Sequence, residues 1–203
     1  MSIARTNTAA DFSPFPIRRF TVNEYHRLAE MGVLAENDRV ELLEGWVVPK
    51  MIHNPVHDGT IELMDELLRA LLPNSWRIRI QSVITTADSE PEPDLAIVRG
   101  PAGRYLGRHP EAADIALVIE VAESSLDRDR HKRRLYACAG ILSYWIVNLV
   151  DRKVEVYSDP ILADGEPRYS VTSNFAVGDE LPVVISGQEV GRVTIAELFP
   201  NAN

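Results

Sequence analysis

One acidic residue lies inside a short apolar stretch of this chain and constrains how the chain can fold. The stretch Leu117–Ser125 reads LVIEVAESS, and Glu120 interrupts a run that is otherwise apolar. Such a run predicts a strand buried on both faces. Because side chains alternate along a strand, Glu120 shares a face with Ala116, Val118 and Ala122. An unpaired buried carboxylate costs several kcal/mol, so Glu120 requires a cation, a proton or another partner.

The composition is that of an ordinary globular chain. With 203 residues, 45% hydrophobic and 25% charged, it can bury a sizeable core. We expect residues 1–16 to form a flexible tail and residues 17–203 a single domain. No apolar run is long enough to span a bilayer, and the N-terminus lacks the apolar segment of a signal peptide. The single cysteine, Cys138, favours a cytoplasmic location, and its helical context predicts a small core residue.

The net charge argues against simple DNA binding. It is -9 at pH 7, whereas non-specific DNA binders are usually basic, because neutralising phosphates supplies most of their affinity. An acidic chain that binds DNA must concentrate its positive charge locally or use metal ions. The charge-dense segment 127–134, DRDRHKRR, could contact phosphates, although its ordinary interpretation is a solvated helix face.

Helical and strand patterns alternate along the chain. Thr21 and Glu24 are spaced as a capping box, which predicts a helix that ends near Gly32. Further predicted helices cover residues 58–72, 126–139 and, as a short one, 194–199. The predicted strands are a pair that turns at Glu44-Gly45, then residues 76–85, 93–98, 114–121, 143–148 and 153–158, and shorter pieces beyond Pro160. This order predicts one α/β domain with a mixed β-sheet.

Two further acids lie in strand-like contexts. Asp94 opens a strand after two prolines, and it could equally be a turn residue at the strand start. Glu41, within RVELLEG, is more simply a solvent-facing strand position when it is considered alone. For Glu120, the alternative to a functional role is a buried salt bridge, for instance with Arg77 or Arg79.

Lys132 supplies a cation close to these acids. In the predicted helix 126–139 it shares a stripe with Leu135 and Tyr136, and the apolar members of that stripe should face the sheet. Because helical side chains lean toward the N-terminus, Lys132 is directed back toward the turn that follows Glu120. The alternative is a surface lysine whose stem lies along apolar surface.

Carboxylates that converge with one lysine suit metal-assisted hydrolysis. Mg²⁺ prefers oxygen ligands and is held by one or two protein carboxylates plus waters. Such an ion activates water and neutralises charge on a phosphodiester. A lysine ammonium can stabilise the phosphorane or position the attacking water. The combination therefore favours phosphodiester hydrolysis.

The motifs resemble the PD-(D/E)xK nuclease superfamily. PDLAIV at residues 93–98 and the block at residues 117–148 carry the resemblance, which extends over residues 20–199 and looks most like a large bacterial branch of restriction endonucleases. It implies a restriction-endonuclease-like mixed sheet flanked by helices, with extra C-terminal strands. It also implies a Mg²⁺- or Mn²⁺-dependent endonuclease that acts on DNA. The alternative is a non-catalytic module of this fold that binds nucleic acid or protein.

The resemblance assigns roles residue by residue. Asp94 matches the Asp of the PD motif and Glu120 the second acid, so both are expected to be catalytic metal ligands. The backbone carbonyl of Val121 is expected to be a further ligand, and Glu41 resembles the upstream acid found near the metal. Because such folds often pair, we also expect a homodimer, formed through residues 143–148 or the C-terminal strands.

One departure from the superfamily pattern concerns the lysine. It usually follows the second acid by two residues, where this chain has Ala122, and in this branch Lys132 on the following helix takes its place. His57 resembles a family histidine that lines the site, and Gln81 is a candidate for positioning water. For His53 a structural or loop role is favoured.

Overall fold

The computed structural model describes residues 17–35 and 37–199, so the predicted tail of residues 1–16 lies outside the described part. The helices are α1 (Val22–Glu30), α2 (Pro55–Arg69), α3 (Leu126–Cys138) and α4 (Ile195–Leu198). The strands are β1 (Val40–Leu43), β2 (Trp46–Pro49), β3 (Trp76–Ile80), β4 (Leu95–Arg99), β5 (Ile115–Ala122), β6 (Ser143–Asn148), β7 (Lys153–Ala163), β8 (Glu166–Ala176), β9 (Glu180–Ile185) and β10 (Gln188–Thr194). None of the helices in the described residues is long and apolar enough to cross a membrane.

A six-stranded mixed sheet forms the centre of the fold, in the order β3-β4-β5-β6-β7-β8. The β5 and β6 strands are parallel, and every other neighbouring pair in this sheet is antiparallel. A parallel pair needs a crossover connection, and α3 provides it. Two hairpins, β1-β2 and β9-β10, lie outside this sheet. The predicted mixed sheet with flanking helices and extra C-terminal strands is therefore confirmed.

Both faces of the sheet are covered, and β5 is consequently buried along its whole length. On one face, α2, α4 and the β9-β10 hairpin pack against residues such as Leu117 and Ile119. On the other face, α3 packs against Val118 and Ala122. Each fully buried aliphatic side chain of this kind contributes about 1.5–3 kcal/mol. Glu120 lies on the same side of β5 as Val118 and Ala122, so its carboxylate points to the α3 face.

Two boundaries differ from the predicted ones for local reasons. The α2 helix begins at Pro55 rather than at residue 58, because Asn54 caps it by accepting a hydrogen bond from the His57 N–H (3.0 Å). The β3 strand ends at Ile80 rather than at residue 85, because Gln81 has a left-handed backbone with φ of 42°. As a result, His57 near the start of α2 and Gln81 after β3 lie at the end of the sheet where Asp94 lies.

The C-terminal region extends the sheet further than the sequence indicates. The β7 strand continues past Pro160, which lies opposite Tyr169, and it pairs with β8 as a long antiparallel ribbon. The β10 strand has no counterpart among the predicted elements. The β8 strand is an edge of the six-stranded sheet.

Two predictions about single features are wrong. Cys138 is exposed rather than part of the core, because it lies on the outer side of α3 together with His131 and Arg134. The predicted dimer surface at residues 143–148 is the β6 strand, which lies buried between β5 and β7 and is not accessible to a partner. Of the two dimer surfaces expected from the sequence, only the C-terminal strands remain.

Candidate metal centre

Asp94 and Glu120 lie side by side, where β4 begins and β5 approaches its end. The Asp94 N–H donates to Glu120 Oε2 (3.3 Å), and the Val121 N–H donates to Asp94 Oδ2 (2.8 Å). The backbone of each segment thus holds the carboxylate of the other. Asp94 is 6% exposed and Glu120 is 4% exposed. Two carboxylates this close and this buried favour a bound cation.

Lys132 is the cation that contacts Glu120. Its Nζ donates to Glu120 Oε1 at 2.9 Å, and it lies 3.7 Å from Glu41 Oε1 and 3.8 Å from Asp129 Oδ1. The lysine side chain is 8% exposed, which excludes the surface interpretation. The segment 127–134 is therefore not only a solvated helix face, because Asp129 and Lys132 are both buried.

The alternative salt bridge of Glu120 with Arg77 or Arg79 does not form. Both arginines lie on β3, two strands away from β5 in the sheet order. In the described residues the ion pair of Glu120 is made with Lys132.

Tyr136 also contacts Glu120. One helical turn after Lys132, its hydroxyl donates to Glu120 Oε1 at 3.0 Å. Nearby, the Tyr144 hydroxyl donates to the backbone oxygen of Asp129 at 3.0 Å and so anchors α3 to β6. Lys132 and Tyr136 therefore fix the same oxygen of Glu120, which orients the other oxygen, Oε2, toward Asp94.

Burial and neighbouring charges act in opposite directions on these groups. Burial raises the pKa of the Glu120 carboxyl; Lys132 lowers it, while Asp94 and Asp129 raise it further. Burial lowers the pKa of the Lys132 ammonium, but Glu120, Glu41 and Asp129 outweigh this, and the pKa lies above its ordinary value. Lys132 is therefore charged at neutral pH. A second cation beside Glu120 would favour its ionised form.

Glu41 joins the same cluster from the β1-β2 hairpin. It is 4% exposed, so the interpretation as a solvent-facing position is wrong. Its Oε1 accepts a hydrogen bond from Arg128 Nη2 (2.6 Å), and its Oε2 accepts one from the Glu92 N–H (3.2 Å). Arg128 Nη1 also donates to the Pro49 oxygen at 2.6 Å. These contacts hold the hairpin against the N-terminal half of α3.

His57 contacts the centre from α2. Its Nε2 lies 3.2 Å from Asp94 Oδ2, and its Nδ1 lies 3.3 Å from Asp58 Oδ1. Burial lowers the pKa of His57, but the hydrogen bonds and charges of Asp94 and Asp58 outweigh it and raise this pKa overall. His57 is thus placed to donate to the Asp94 carboxylate.

Gln81 and His53 line the same cleft without contacting either central carboxylate. Gln81 Nε2 lies 2.9 Å from His53 Nδ1, while the Gln81 N–H donates to the backbone oxygen of Asp94 at 2.9 Å. The His53 ring stacks on His57 with 4.3 Å between centroids. One nitrogen of each histidine and one oxygen of Asp58 lie within 4.8 Å of one another, a spacing that could hold a metal ion. The role of Gln81 stays a prediction.

The donor set at the centre fits a hard divalent cation. The Val121 N–H and His57 both contact Oδ2 of Asp94, and Lys132 and Tyr136 both donate to Oε1 of Glu120. These contacts leave Oδ1 of Asp94 for a metal, together with Oε2 of Glu120, which also accepts from the Asp94 N–H (3.3 Å). Carboxylate oxygens, with water completing the shell, are the ligands that Mg²⁺ and Mn²⁺ prefer.

Three residues that were not predicted as site residues belong to this arrangement: Arg128, Asp129 and Tyr136. Tyr136 and Arg128 lie four residues on either side of Lys132, so helical spacing places them on the same stripe. Asp129 carries no such signal, because an acid in the first turn of a helix is ordinary.

A family model named Uma2, described as "Putative restriction endonuclease", matches residues 22–191. The chain belongs to this family. The Uma2 match spans all the residues of the candidate metal centre. Family and fold together confirm the predicted PD-(D/E)xK superfamily.

Solved structures show the same architecture. The crystal structure of a "putative nuclease" from Anabaena variabilis is 18% identical, with 91% of this chain and 98% of that chain covered and a TM-score of 0.64. At this identity the likeness shows the restriction-endonuclease-like fold. Among curated proteins no significant match is found.

Proposed function

We propose that this Uma2 chain is a Mg²⁺- or Mn²⁺-dependent endonuclease that hydrolyses phosphodiester bonds of DNA. The observation that carries the proposal is the convergence of Asp94, Glu120 and Lys132 in a cleft, with both carboxylates buried. Burying carboxylates is costly unless a cation neutralises their charge. A protein that needed only a stable core would do as well with apolar residues there.

Each residue of the centre has a separate role in this proposal. Asp94 and Glu120 would hold the metal, together with the carbonyl of Val121. Bound there, the metal would supply Lewis acidity and a water of lowered pKa. Lys132, charged and held by Glu120, would stabilise negative charge on the phosphorane or position the attacking water.

Three other residues support this centre. Glu41 keeps Arg128 and Lys132 in place through its Oε1. His57 orients Asp94, and Gln81 would order water at the mouth of the cleft.

The direct test is hydrolysis of plasmid and single-stranded DNA with Mg²⁺ or Mn²⁺. We expect Asp94→Asn and Glu120→Gln to abolish cleavage. The matched control is Asp65→Asn, which removes an α2 carboxylate whose ion pair within the described residues is with the exposed Arg69. Equal activity in wild type and both centre variants would refute the proposal.

A second candidate function is a non-catalytic module of this fold that binds nucleic acid or protein. It is favoured by the internal neutralisation of the centre, where Arg128 pairs with Glu41 and Lys132 with Glu120. Calorimetric titration with Mn²⁺ separates the two. A saturable site that is lost in Glu120→Gln supports the nuclease, whereas absence of binding near neutral pH supports the module.

We also propose that the protein is cytoplasmic and forms a homodimer through its C-terminal strands. The edge strand β8 offers unpaired backbone groups to a second copy. Light scattering of the purified chain tests the dimer: a mass of 22.7 kDa would mean a monomer.

A further inference from the structure

Three arginines surround one aromatic ring beside β3. The guanidinium carbons of Arg79, Arg104 and Arg108 lie 5.7, 6.0 and 5.6 Å from the centroid of the Tyr105 ring. We call these three residues the Tyr105 arginine cluster. Tyr105 itself is buried, and its hydroxyl donates to the backbone oxygen of Arg99 at 2.5 Å. The ring is thus a fixed platform for the three cations.

The cluster carries more positive charge than its acidic neighbours neutralise. Asp114 pairs with Arg104 (2.9 Å) and Arg108 (2.7 Å), so two guanidiniums share one carboxylate. Glu111 lies 4.0 Å from Arg108, but its side chain is 65% exposed, so solvent screens this contact. Arg79 makes no ion pair within the described residues. In a chain of net charge -9, this is a local concentration of positive charge.

Arg79 is also incompletely hydrogen-bonded. Its Nε is the one buried side-chain nitrogen or oxygen without a hydrogen-bond partner in the described part of the chain. Buried polar groups are nearly always paired, and each exception needs an explanation. The residue as a whole is half-buried.

The cluster lies on the same face of the sheet as the metal centre. Arg79 is opposite Ala96 on β4, and Ala96 is opposite Val118 on β5. Glu120 is two residues beyond Val118, and therefore points to the same side. Strand spacing and rise place the Arg79 and Glu120 backbones roughly 12 Å apart. Phosphates of one DNA strand follow each other every ~3.4 Å of helix axis, so two phosphates a few nucleotides apart could contact both sites.

We propose that the Tyr105 arginine cluster binds a backbone phosphate of the DNA substrate, a few nucleotides from the phosphodiester at Asp94 and Glu120. The inference rests on the proposed function, because it names where that substrate is anchored. Guanidinium groups bind phosphate oxygens in bidentate fashion, and the ring holds them in position. Local positive charge of this kind is what an acidic chain needs in order to hold DNA.

The experiment measures how salt weakens binding of a labelled DNA duplex. The parent protein carries Glu120→Gln so that the duplex is not cut, and anisotropy titrations run at several salt concentrations. Adding Arg79→Gln should lower the affinity and reduce the slope of log affinity against log salt by about 0.9 for each phosphate that the variant no longer neutralises. Arg79→Lys should keep the slope, because it keeps the charge. Arg168→Gln is the control: Arg168 is exposed, makes no ion pair in the described residues and lies on the opposite edge strand.

The outcomes are separable. If the parent binds DNA and Arg79→Gln keeps its slope, the cluster is not a phosphate site, whereas the proposed function stands. If the parent does not bind DNA at any salt concentration, the inference fails, whereas the proposed function is decided by the cleavage assay of the wild type. If thermal melts show that Arg79→Gln is unfolded at the assay temperature, Arg108→Gln replaces it. In that variant Asp114 still has Arg104 as its ion-pair partner. An unchanged slope in that variant equally overturns the inference.

Discussion

Lys132→Met should destabilise the protein by about 3–5 kcal/mol, because it removes the cation from a buried group of carboxylates. The ammonium lies 2.9 Å from Glu120, 3.7 Å from Glu41 and 3.8 Å from Asp129. At an effective dielectric constant of about 20, the Glu120 contact alone corresponds to roughly 6 kcal/mol of attraction. Methionine keeps most of the side-chain volume, so cavity formation adds little. Desolvation of the ammonium offsets part of the attraction, which leaves the stated range.

The destabilisation should grow with pH. Burial already raises the pKa of Glu120, and Lys132 is the main group that lowers it. In Lys132→Met the folded pKa of Glu120 therefore moves further above its unfolded value. A carboxyl with a raised folded pKa contributes stability below its unfolded pKa and loses it as the pH rises through the folded pKa. The pKa of Glu120 in the wild type lies at about 8, so the variant should be closest to wild type near pH 7 and furthest from it above about pH 9.

Urea unfolding at both pH values, analysed by linear extrapolation, measures these differences. The matched control is Arg69→Met, whose exposed pair with Asp65 on α2 should change stability by only about 0.3–0.5 kcal/mol. Adding Glu120→Gln to Lys132→Met removes the orphaned charge and should recover part of the loss. A loss below about 1 kcal/mol for Lys132→Met at both pH values would show that Lys132 does not neutralise a buried charge.

Three further outcomes are expected. Tyr136→Phe removes a buried hydrogen bond to a carboxylate and should cost about 1.5–3 kcal/mol in urea unfolding, with weaker Mn²⁺ binding by calorimetry. Mn²⁺ at about 100 times its dissociation constant should stabilise wild type by ~2.7 kcal/mol and leave Asp94→Asn unchanged in thermal melts. Although burial of Glu155 acts to raise its pKa, the hydrogen bond from Arg130 and those of its other neighbours lower it to about 2. Its stabilisation should therefore be complete above about pH 4.5 and disappear as the pH falls toward 2, and Glu155→Gln should remove this dependence in acid titrations.

Periodicity and caps predicted the fold well where local rules decide the structure. The capping box of Thr21 and Glu24 forms as expected, and the hairpin turns at Glu44-Gly45. The rules failed where tertiary contacts decide. Pro160 suggests the end of a strand, but a proline is tolerated because pairing with β8 continues on both sides of it. Between Gly187 and the predicted helix at 194–199 the sequence indicates no strand, whereas the chain turns at Gly187 and returns as β10.

Residues of the candidate site were predictable from the sequence, but their individual contacts were not. A carboxylate inside a buried strand requires a partner, and helical spacing indicated Lys132 as that partner. What the sequence could not show was which oxygen each donor would contact. Tyr136 shares a stripe with Lys132, but only the packing of α3 on β5 brings its hydroxyl to Glu120. Arg128 reaches Glu41 across a separation of 87 residues, which no local pattern encodes.

The position of the lysine has a steric explanation. Ala122, where the superfamily usually has it, has no exposed surface and lies in the core under α3. Its backbone oxygen accepts from the Leu149 N–H at 2.9 Å, so β5 cannot shift there to make room. A lysine at 122 would have to displace side chains of α3, and such overpacking typically costs about 1–3 kcal/mol. Lys132 brings the ammonium in from α3 itself, so the helix that fills the core also neutralises Glu120.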